Sequence, residues 1–358
     1  MAALARLIRQ AIERDGGWLP FDRFMAMALY APSLGYYANA GRTFGAFPAS
    51  GSDFITAPEL SPLFGAMLAR QVRQALEASG TDEVWEFGAG SGALAAQLLA
   101  DLRGAVRRYV IVDVSGTWRS RQHARLEEHR ERVEWLDALP TSMRGVVVGN
   151  EVLDAMPVQL LQRDGHRWLE RGVIWDGERF TFADRPTALS PPEAALAAMP
   201  TGSTIEVHAQ AEAFVATLAE RLEVGAAFFI DYGFPAHEYY HPQRSGGTLM
   251  CHRAHRADTD PLTDVGAKDI TAHVDFTGVA LAAQEAGFDV VGYTSQARFL
   301  LNCGILDVLA GADVRTTAAA QKLLAEHEMG ELFKVLALSK GFDFEPLGFR
   351  SGDRRHTL

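Results

Sequence analysis

Acidic side chains stand at the ends of several short apolar runs in this chain, and that placement suggests chemistry. Glu86 lies inside the run 84–87, two residues ahead of three alternating glycines, Gly88, Gly90 and Gly92. Asp113 ends the run 109–113, and Asp137 follows the run 133–136. Glycines between a strand and a helix let the backbone approach a ligand and aim helix N-terminal amides at the crevice beyond the strand ends. The spacing Gly88-x-Gly90-x-x-Ala93 also satisfies a dinucleotide fingerprint, so a nicotinamide cofactor is the rival reading. A carboxylate at Glu86 would repel a pyrophosphate, but it favours the sulfonium and amino groups of S-adenosylmethionine. Asp113 has the position from which ribose hydroxyls are bound, and Asp137 could accept from an adenine amino group. Three acids at three consecutive strand ends fit a methyl donor better than a dinucleotide.

Methyl transfer is an in-line displacement, so the protein must hold a lone pair against the methyl group and exclude water. Asn150, Glu151 and Asp154, in the stretch VVVGNEVLDAMP, follow the run 146–150 and would lie at the mouth of that site. Paired carboxylates suit a guanidinium or an amine, whose plane they fix through charge-assisted bonds. Alternatively Asn150 caps a helix whose dipole Glu151 or Asp154 complements. His273 and Asp275, in DITAHVDF, either face the acceptor or begin a helix with Asp275 as its cap. Asp231 and Tyr232 end another apolar run at the edge of the site, with Glu206 and His208 behind. Cys251, His252 and His255, with His237 and His241 nearby, match no standard four-ligand zinc spacing, so no metal is expected.

These residues need a scaffold to bring them together. Apolar runs at 84–87, 109–113, 133–136, 146–150, 226–231, 288–295 and 333–339 read as seven strands. Helical stretches at 118–131, 209–222 and 305–328 separate several of them, which predicts an α/β fold with a doubly wound, largely parallel sheet. Leu4, Leu7, Ile8, Ala11 and Ile12 predict an amphipathic opening helix, and a further helix covers 63–78. Residues 30–62 read as an ordered loop, 157–203 as a hairpin insertion, and the tail after Lys340 as frayed. The 358 residues, 48% hydrophobic, suffice for a large core. No run reaches the roughly 18 apolar residues of a membrane span. A charge of −11 disfavours a nucleic-acid surface and favours a basic partner. Two cysteines make no disulfide framework, and a start carrying Glu13 and Asp15 looks like neither a signal nor a transit peptide, so a cytoplasmic setting is expected.

The chain also resembles the MidA-type class I methyltransferase family, whose mitochondrial member is a complex I assembly factor that methylates an arginine. The likeness runs through LGYY at 34–37, DFITAPELSPLFG at 53–65, the glycine turn, NEVLDAMPV at 150–158, FFIDYG at 228–233, GGTL at 246–249 and DITAHVDF at 269–276. It implies a seven-stranded sheet with the last strand antiparallel, an N-terminal helical cap over 1–80, a core over 81–340 with insertions at 157–203 and 233–270, and a tail at 341–358. It further implies S-adenosyl-L-methionine as cofactor, held by Glu86, Gly88, Gly90, Gly92, Asp113 and Asp137 beneath a segment containing Thr56, Pro58 and Glu59. The catalytic candidates are Asn150, Glu151, Asp154 and His273. The loops at 31–62 and 233–268 are expected to roof the site and form the acceptor groove. The implied reaction is symmetric dimethylation of a protein arginine, with a respiratory-complex subunit as partner and the mitochondrial matrix as the setting of eukaryotic relatives. A small-molecule methyltransferase and a non-catalytic assembly module remain alternatives. Ala89 and Ser91 depart from the Pro and Arg common in the family's turn, and Asp113 stands where Glu is frequent.

Overall fold

The computed structural model describes residues 2–38, 56–113, 116–253 and 256–358. The chain opens with α1 (Ala2–Arg14), β1 (Leu19–Pro20) and α2 (Phe21–Tyr30). After the undescribed part of the 30–62 region come α3 (Ala57–Leu60), α4 (Pro62–Ser79), β2 (Glu83–Phe87), α5 (Ala93–Leu102), β3 (Arg108–Val112), α6 (Gly116–Arg125), β4 (Val133–Leu136) and β5 (Met143–Asn150). An antiparallel excursion follows: β6 (Gln159–Asp164), β7 (Arg167–Trp175), β8 (Phe180–Pro186), α7 (Glu193–Ala198) and β9 (Thr204–Val207). Next are α8 (Ala209–Arg221), β10 (Leu222–Phe234), α9 (Ala236–Tyr239), β11 (Met250–Arg253), β12 (Arg256–Asp258), β13 (Asp269–Thr271) and β14 (Val274–Asp275). The chain closes with α10 (Phe276–Glu285), β15 (Asp289–Ser295), α11 (Gln296–Asn302), α12 (Ile305–Leu309), α13 (Val314–Leu324) and β16 (Phe333–Lys340).

The main sheet has the order β15-β16-β10-β5-β2-β3-β4, with the short β14 beside the end of β10. Pairings among β10, β5, β2, β3 and β4 are parallel, whereas β16 runs antiparallel to both β10 and β15. The expected doubly wound seven-stranded sheet with an antiparallel last strand is therefore present. Alternate residues of each strand feed opposite faces, as the two-residue period requires. Val84, Val148 and Phe228 pack with α4, α5 and α11, while Trp85, Val147 and Phe229 pack with α8 and α10. Local signals set the helix ends: Ser61 accepts from the Leu63 N–H at the start of α4, and Gly80 (φ 63°) closes it in the left-handed region.

The 157–203 excursion is more than a hairpin. Strands β6 to β9, joined by β1, form a separate five-stranded antiparallel sheet. Leu4, Ile8, Phe21 and Phe24 of α1 and α2 share an apolar core with Leu160, Val173 and Phe180 of that sheet. The helices of the N-terminal 80 residues thus divide, with α1 and α2 on the second sheet and α4 on the main one. Strands β11 and β12, within the 233–268 stretch expected to be loop, pair with β13 just beyond it in a third, three-stranded sheet. The tail is not frayed. Gly348 and Leu347 donate to Gln71 and Gln74 of α4, Phe349 packs on Phe299, and Arg354 N–H bonds the Tyr293 carbonyl on edge strand β15. The tail's polarity hid this, because its docking rests on backbone bonds, one aromatic anchor and the Arg354–Glu331 ion pair. No described helix is long and apolar enough to cross a membrane.

Candidate active site

The carboxyl ends of β2 to β5 open into a cavity of about 760 Å³, within the size range of small-ligand sites. Gly88, Ala89, Gly90 and Ser91 of the glycine turn line it, whereas Gly92 is absent from the lining and faces Gln122. Gly88, Gly90 and Gly92 have φ of 62°, 51° and 78°, a left-handed path that other residues adopt only at a cost, and Gly92 sits at the N-cap of α5. A Cβ built on Gly90 would meet no atom within 4 Å, so its exposed face looks into open space.

Thr56, Pro58 and Glu59 line the same cavity, as the resemblance implies. Thr56 precedes α3, whose Pro58 carbonyl accepts from Gln97 Nε2 at 2.7 Å. Glu59 bonds the Ser91 hydroxyl and pairs with Arg125 at 2.7 Å, which holds this segment against the glycine turn. Residues 39–55 of the expected roof lie outside the described residues. The other expected roof, 233–268, contributes no residue to the described lining, because it folds into the third sheet instead.

Each strand-end acid lines the cavity, in a different environment. Glu86 is buried and accepts the Tyr109 hydroxyl at 2.7 Å. Burial pushes its carboxyl up to about 8, more strongly than that hydrogen bond lowers it. Asp113 accepts from Gln122 Nε2 at 3.0 Å. The Asp137 side chain is largely exposed and pairs with Arg119.

Beyond β5 no helix begins, so the capping alternative for Asn150 falls away; the segment turns back on itself instead. Glu151 has φ 54°, and its N–H bonds the Ile230 carbonyl at 2.9 Å. Asn150 Nδ2 donates to Glu151 Oε1 at 3.1 Å, while Asn150 Oδ1 has no partner. Asp154 accepts the Tyr232 hydroxyl on Oδ2, and its Oδ1 is buried without a partner. Burial raises the Glu151 carboxyl to about 8, with the Asp154 charge adding to it, and burial raises Asp154 to about 6.

Asp231 does not line the cavity. Its Oδ2 accepts the N–H groups of Val152 (3.1 Å), Leu153 (2.9 Å) and Asp154 (3.3 Å), so it fixes the loop that carries the two acids. His273 is also absent from the lining. Its ring stacks on Phe234 (centroids 5.3 Å apart) and meets Tyr232 edge-on, and burial drives the imidazole down to about 4. The catalytic placement of His273 is therefore corrected: it is a neutral packing residue behind Tyr232. Asp275 caps α10 through the Thr277 and Gly278 N–H groups. Glu206 accepts from the Thr248 and Leu249 N–H groups, and His208 pairs with Tyr239, all away from the lining. Among the described residues no group of three or more His, Cys, Asp or Glu could hold a metal; His255 lies outside them.

Several lining residues escaped the sequence reading. Tyr30 and Tyr37 stack at 5.5 Å, with their hydroxyls on the Ala155 carbonyl and on Asp269. Trp118 and Phe214 supply apolar wall. The LGYY motif marked Tyr37, but nothing in the local pattern of α2 distinguishes Tyr30 from a core residue. Electrostatically the cavity is one-sided. Glu59, Glu86, Asp113, Asp137, Glu151 and Asp154 line it, and no Lys, Arg or His does among the described residues.

A seven-stranded sheet with this strand order, a glycine turn after its first strand and acids on the strands that follow define a class I, S-adenosylmethionine-dependent methyltransferase. Residues 67–294 match the model of a family described as S-adenosyl-L-methionine-dependent methyltransferase, and the chain belongs to that family. A crystal structure from Burkholderia thailandensis, bound to S-adenosyl-homocysteine, is 53% identical over 100% of this chain and 97% of that one, with a TM-score of 0.95. A native crystal structure from the same organism is 52% identical, covers 100% and 96%, and has a TM-score of 0.91. Among curated proteins, the chain is 28% identical to the mitochondrial protein arginine methyltransferase NDUFAF7 of Danio rerio, over 90% of this chain and 83% of that protein. Identity to the human NDUFAF7 is 26%, over 91% and 81%. The dinucleotide reading is thereby set aside, and S-adenosyl-L-methionine is the cofactor.

Proposed function

We propose that this methyltransferase modifies the ω-nitrogens of an arginine in a protein substrate. The observation that carries the reading is the set of unpartnered acceptors beyond β5. Asn150 Oδ1 and Asp154 Oδ1 lack donors, and Glu151 and Asp154 stand together in a cavity lined by no cation among the described residues. Buried acceptors without partners are costly, so the ligand that completes this cluster must be rich in N–H donors and positively charged. A guanidinium meets both demands, with its planar fork matched to carboxylates. The curated relatives, named as arginine methyltransferases, support the same substrate class.

The donor fits the remaining lining. Gly90 leaves space that a side chain would fill, and the acids suit a sulfonium while disfavouring a pyrophosphate. Gly88, Gly90 and Gly92 would hold its methionine portion at the start of α5, Asp113 its ribose and Asp137 its adenine amino group, with Glu86 beneath and Thr56, Pro58 and Glu59 above. When bound, S-adenosylmethionine supplies an activated methyl group. Glu151 and Asp154 orient the guanidinium and exclude water from its plane. As the new N–CH₃ bond forms and the S–CH₃ bond breaks, the attacking nitrogen sheds a proton, which the Asp154 carboxylate, the more acidic of the pair, accepts. The product guanidinium keeps its charge.

The N-terminal 80 residues and the 81–340 core, with its insertions at 157–203 and 233–270, would together shape the acceptor approach. Symmetric dimethylation and a respiratory-complex subunit as partner follow from the resemblance; these, with a cytoplasmic setting, belong to this reading. Its test is transfer of labelled methyl from S-adenosylmethionine into extracts of cells lacking the protein, followed by amino-acid analysis. Label in ω-N-methylarginine, lost with Glu151→Gln, supports the assignment. Label confined to small molecules or to another residue type refutes it.

A further inference from the structure

Gln122 of α6 is fully buried and outside the cavity lining, and the sequence reading gave it no role. Its amide makes three hydrogen bonds. Trp135 Nε1 donates to Oε1 at 2.9 Å, while Nε2 donates to the Gly90 carbonyl at 2.9 Å and to Asp113 Oδ2 at 3.0 Å. The orientation is unambiguous: an indole N–H can only donate, so the amide oxygen must face Trp135, leaving both amide hydrogens for the two acceptors. One side chain therefore ties the turn after β2, the end of β3 and strand β4, three elements distant in sequence. A Cβ at Gly92 would lie 3.5 Å from Gln122 Cα, so α6 itself rests against the turn.

We propose that Gln122 is a positioning residue of the donor site, setting the Asp113 carboxylate against the glycine turn so that both meet the nucleoside of the donor. The inference rests on the reading of Asp113 as a ribose ligand. The Gln122 amide holds one oxygen of the Asp113 carboxylate, and Trp135 holds the amide. Mutual restraint of this kind is what holds a binding constellation within a productive geometry.

The test is calorimetric titration with S-adenosyl-homocysteine. Gln122→Met keeps the volume and removes both donors, and it should weaken binding by about tenfold, the scale of a hydrogen bond to a charged group. Asp113→Asn should weaken it at least as much. Combined, the two should be no worse than Asp113→Asn within about threefold, because a residue that acts through another loses its effect when that other is gone. Trp135→Phe tests the same chain of contacts from a partly exposed site, should Gln122→Met fail to fold. It should weaken binding severalfold, and only where Asp113 is intact. Parent-like affinity of Gln122→Met, or a full effect of either variant in the Asp113→Asn background, overturns the proposal. Parent-like affinity of Asp113→Asn instead overturns the ribose reading beneath it.

Discussion

Gly90→Ala separates a glycine kept for its backbone from a glycine kept for a ligand. Gly90 has φ 51°, and an added Cβ would meet no protein atom within 4 Å, so the fold sees only the conformational cost. For an L-residue in the left-handed region that cost is about 1 kcal/mol. In a chain of this size it should lower Tm by roughly 2 °C. Gly165, in the turn between β6 and β7, is a matched control, with φ 58° and likewise nothing within 4 Å of its added Cβ, but remote from the cavity. Gly165→Ala should therefore lose the same stability and bind S-adenosyl-homocysteine like the parent. Gly90→Ala should lose at least about tenfold in affinity, roughly 1.4 kcal/mol, because its methyl occupies the space meant for the ligand. Calorimetry and thermal melts of the three proteins measure both quantities. Equal affinity in all three, with equal losses of Tm, would refute the claim that the turn is shaped around a donor.

Three further outcomes follow from the site and the tail. Glu151→Gln and Asp154→Asn should each lower methyl transfer by about 10² or more while leaving S-adenosyl-homocysteine affinity near the parent's, measured by turnover and calorimetry. Glu86 and Glu151 are both raised to about 8 in the folded chain, so the fold binds their protons more tightly than the unfolded chain does. The stability this contributes is complete below pH 4.5 and is lost as pH rises to about 8. Melts of the ligand-free protein should thus show Tm falling from pH 5 to 9, and the cationic S-adenosylmethionine should gain affinity over the neutral S-adenosyl-homocysteine across that range. Phe349→Ala removes the aromatic anchor of the tail against Phe299 and should cost about 3–5 kcal/mol, read as a lower Tm and faster proteolysis after Lys340, with donor affinity unchanged.

The main sheet was legible because each of its strands is a self-contained signal. Runs such as Val146-Val147-Val148 are apolar on both faces, as buried parallel strands must be. The second sheet was less legible. Arg163, Arg167, Arg171 and Arg185 interrupt its strands, and its apolar face is completed by Phe21 and Phe24, more than a hundred residues earlier in the chain. A pattern read within a window cannot register a core built from two distant windows. The third sheet has strands of four, three and three residues, too short for any period to emerge.

The same distinction governs the site. Glu86, Asp113 and Asp137 could be found because the strand that contains or precedes each one predicts where its Cα must lie, and in a parallel sheet the carboxyl ends lie together at one edge. What could not be found is what each carboxylate faces. Glu86 meets Tyr109, Asp113 meets Gln122 and Asp137 meets Arg119, so three acids at neighbouring strand ends face unlike partners. His273 shows the converse error. Its motif brings it close to the site in the chain's path, yet Phe234 and Tyr232 occupy the intervening space and leave the imidazole neutral. Asp231 stood at the edge of the site on the same reasoning, but three backbone N–H groups hold its carboxylate against the loop behind Glu151. Position along a strand therefore assigns a residue to the site, and the hydrogen-bond donors available across the fold decide whether it holds a ligand or holds the residue that does.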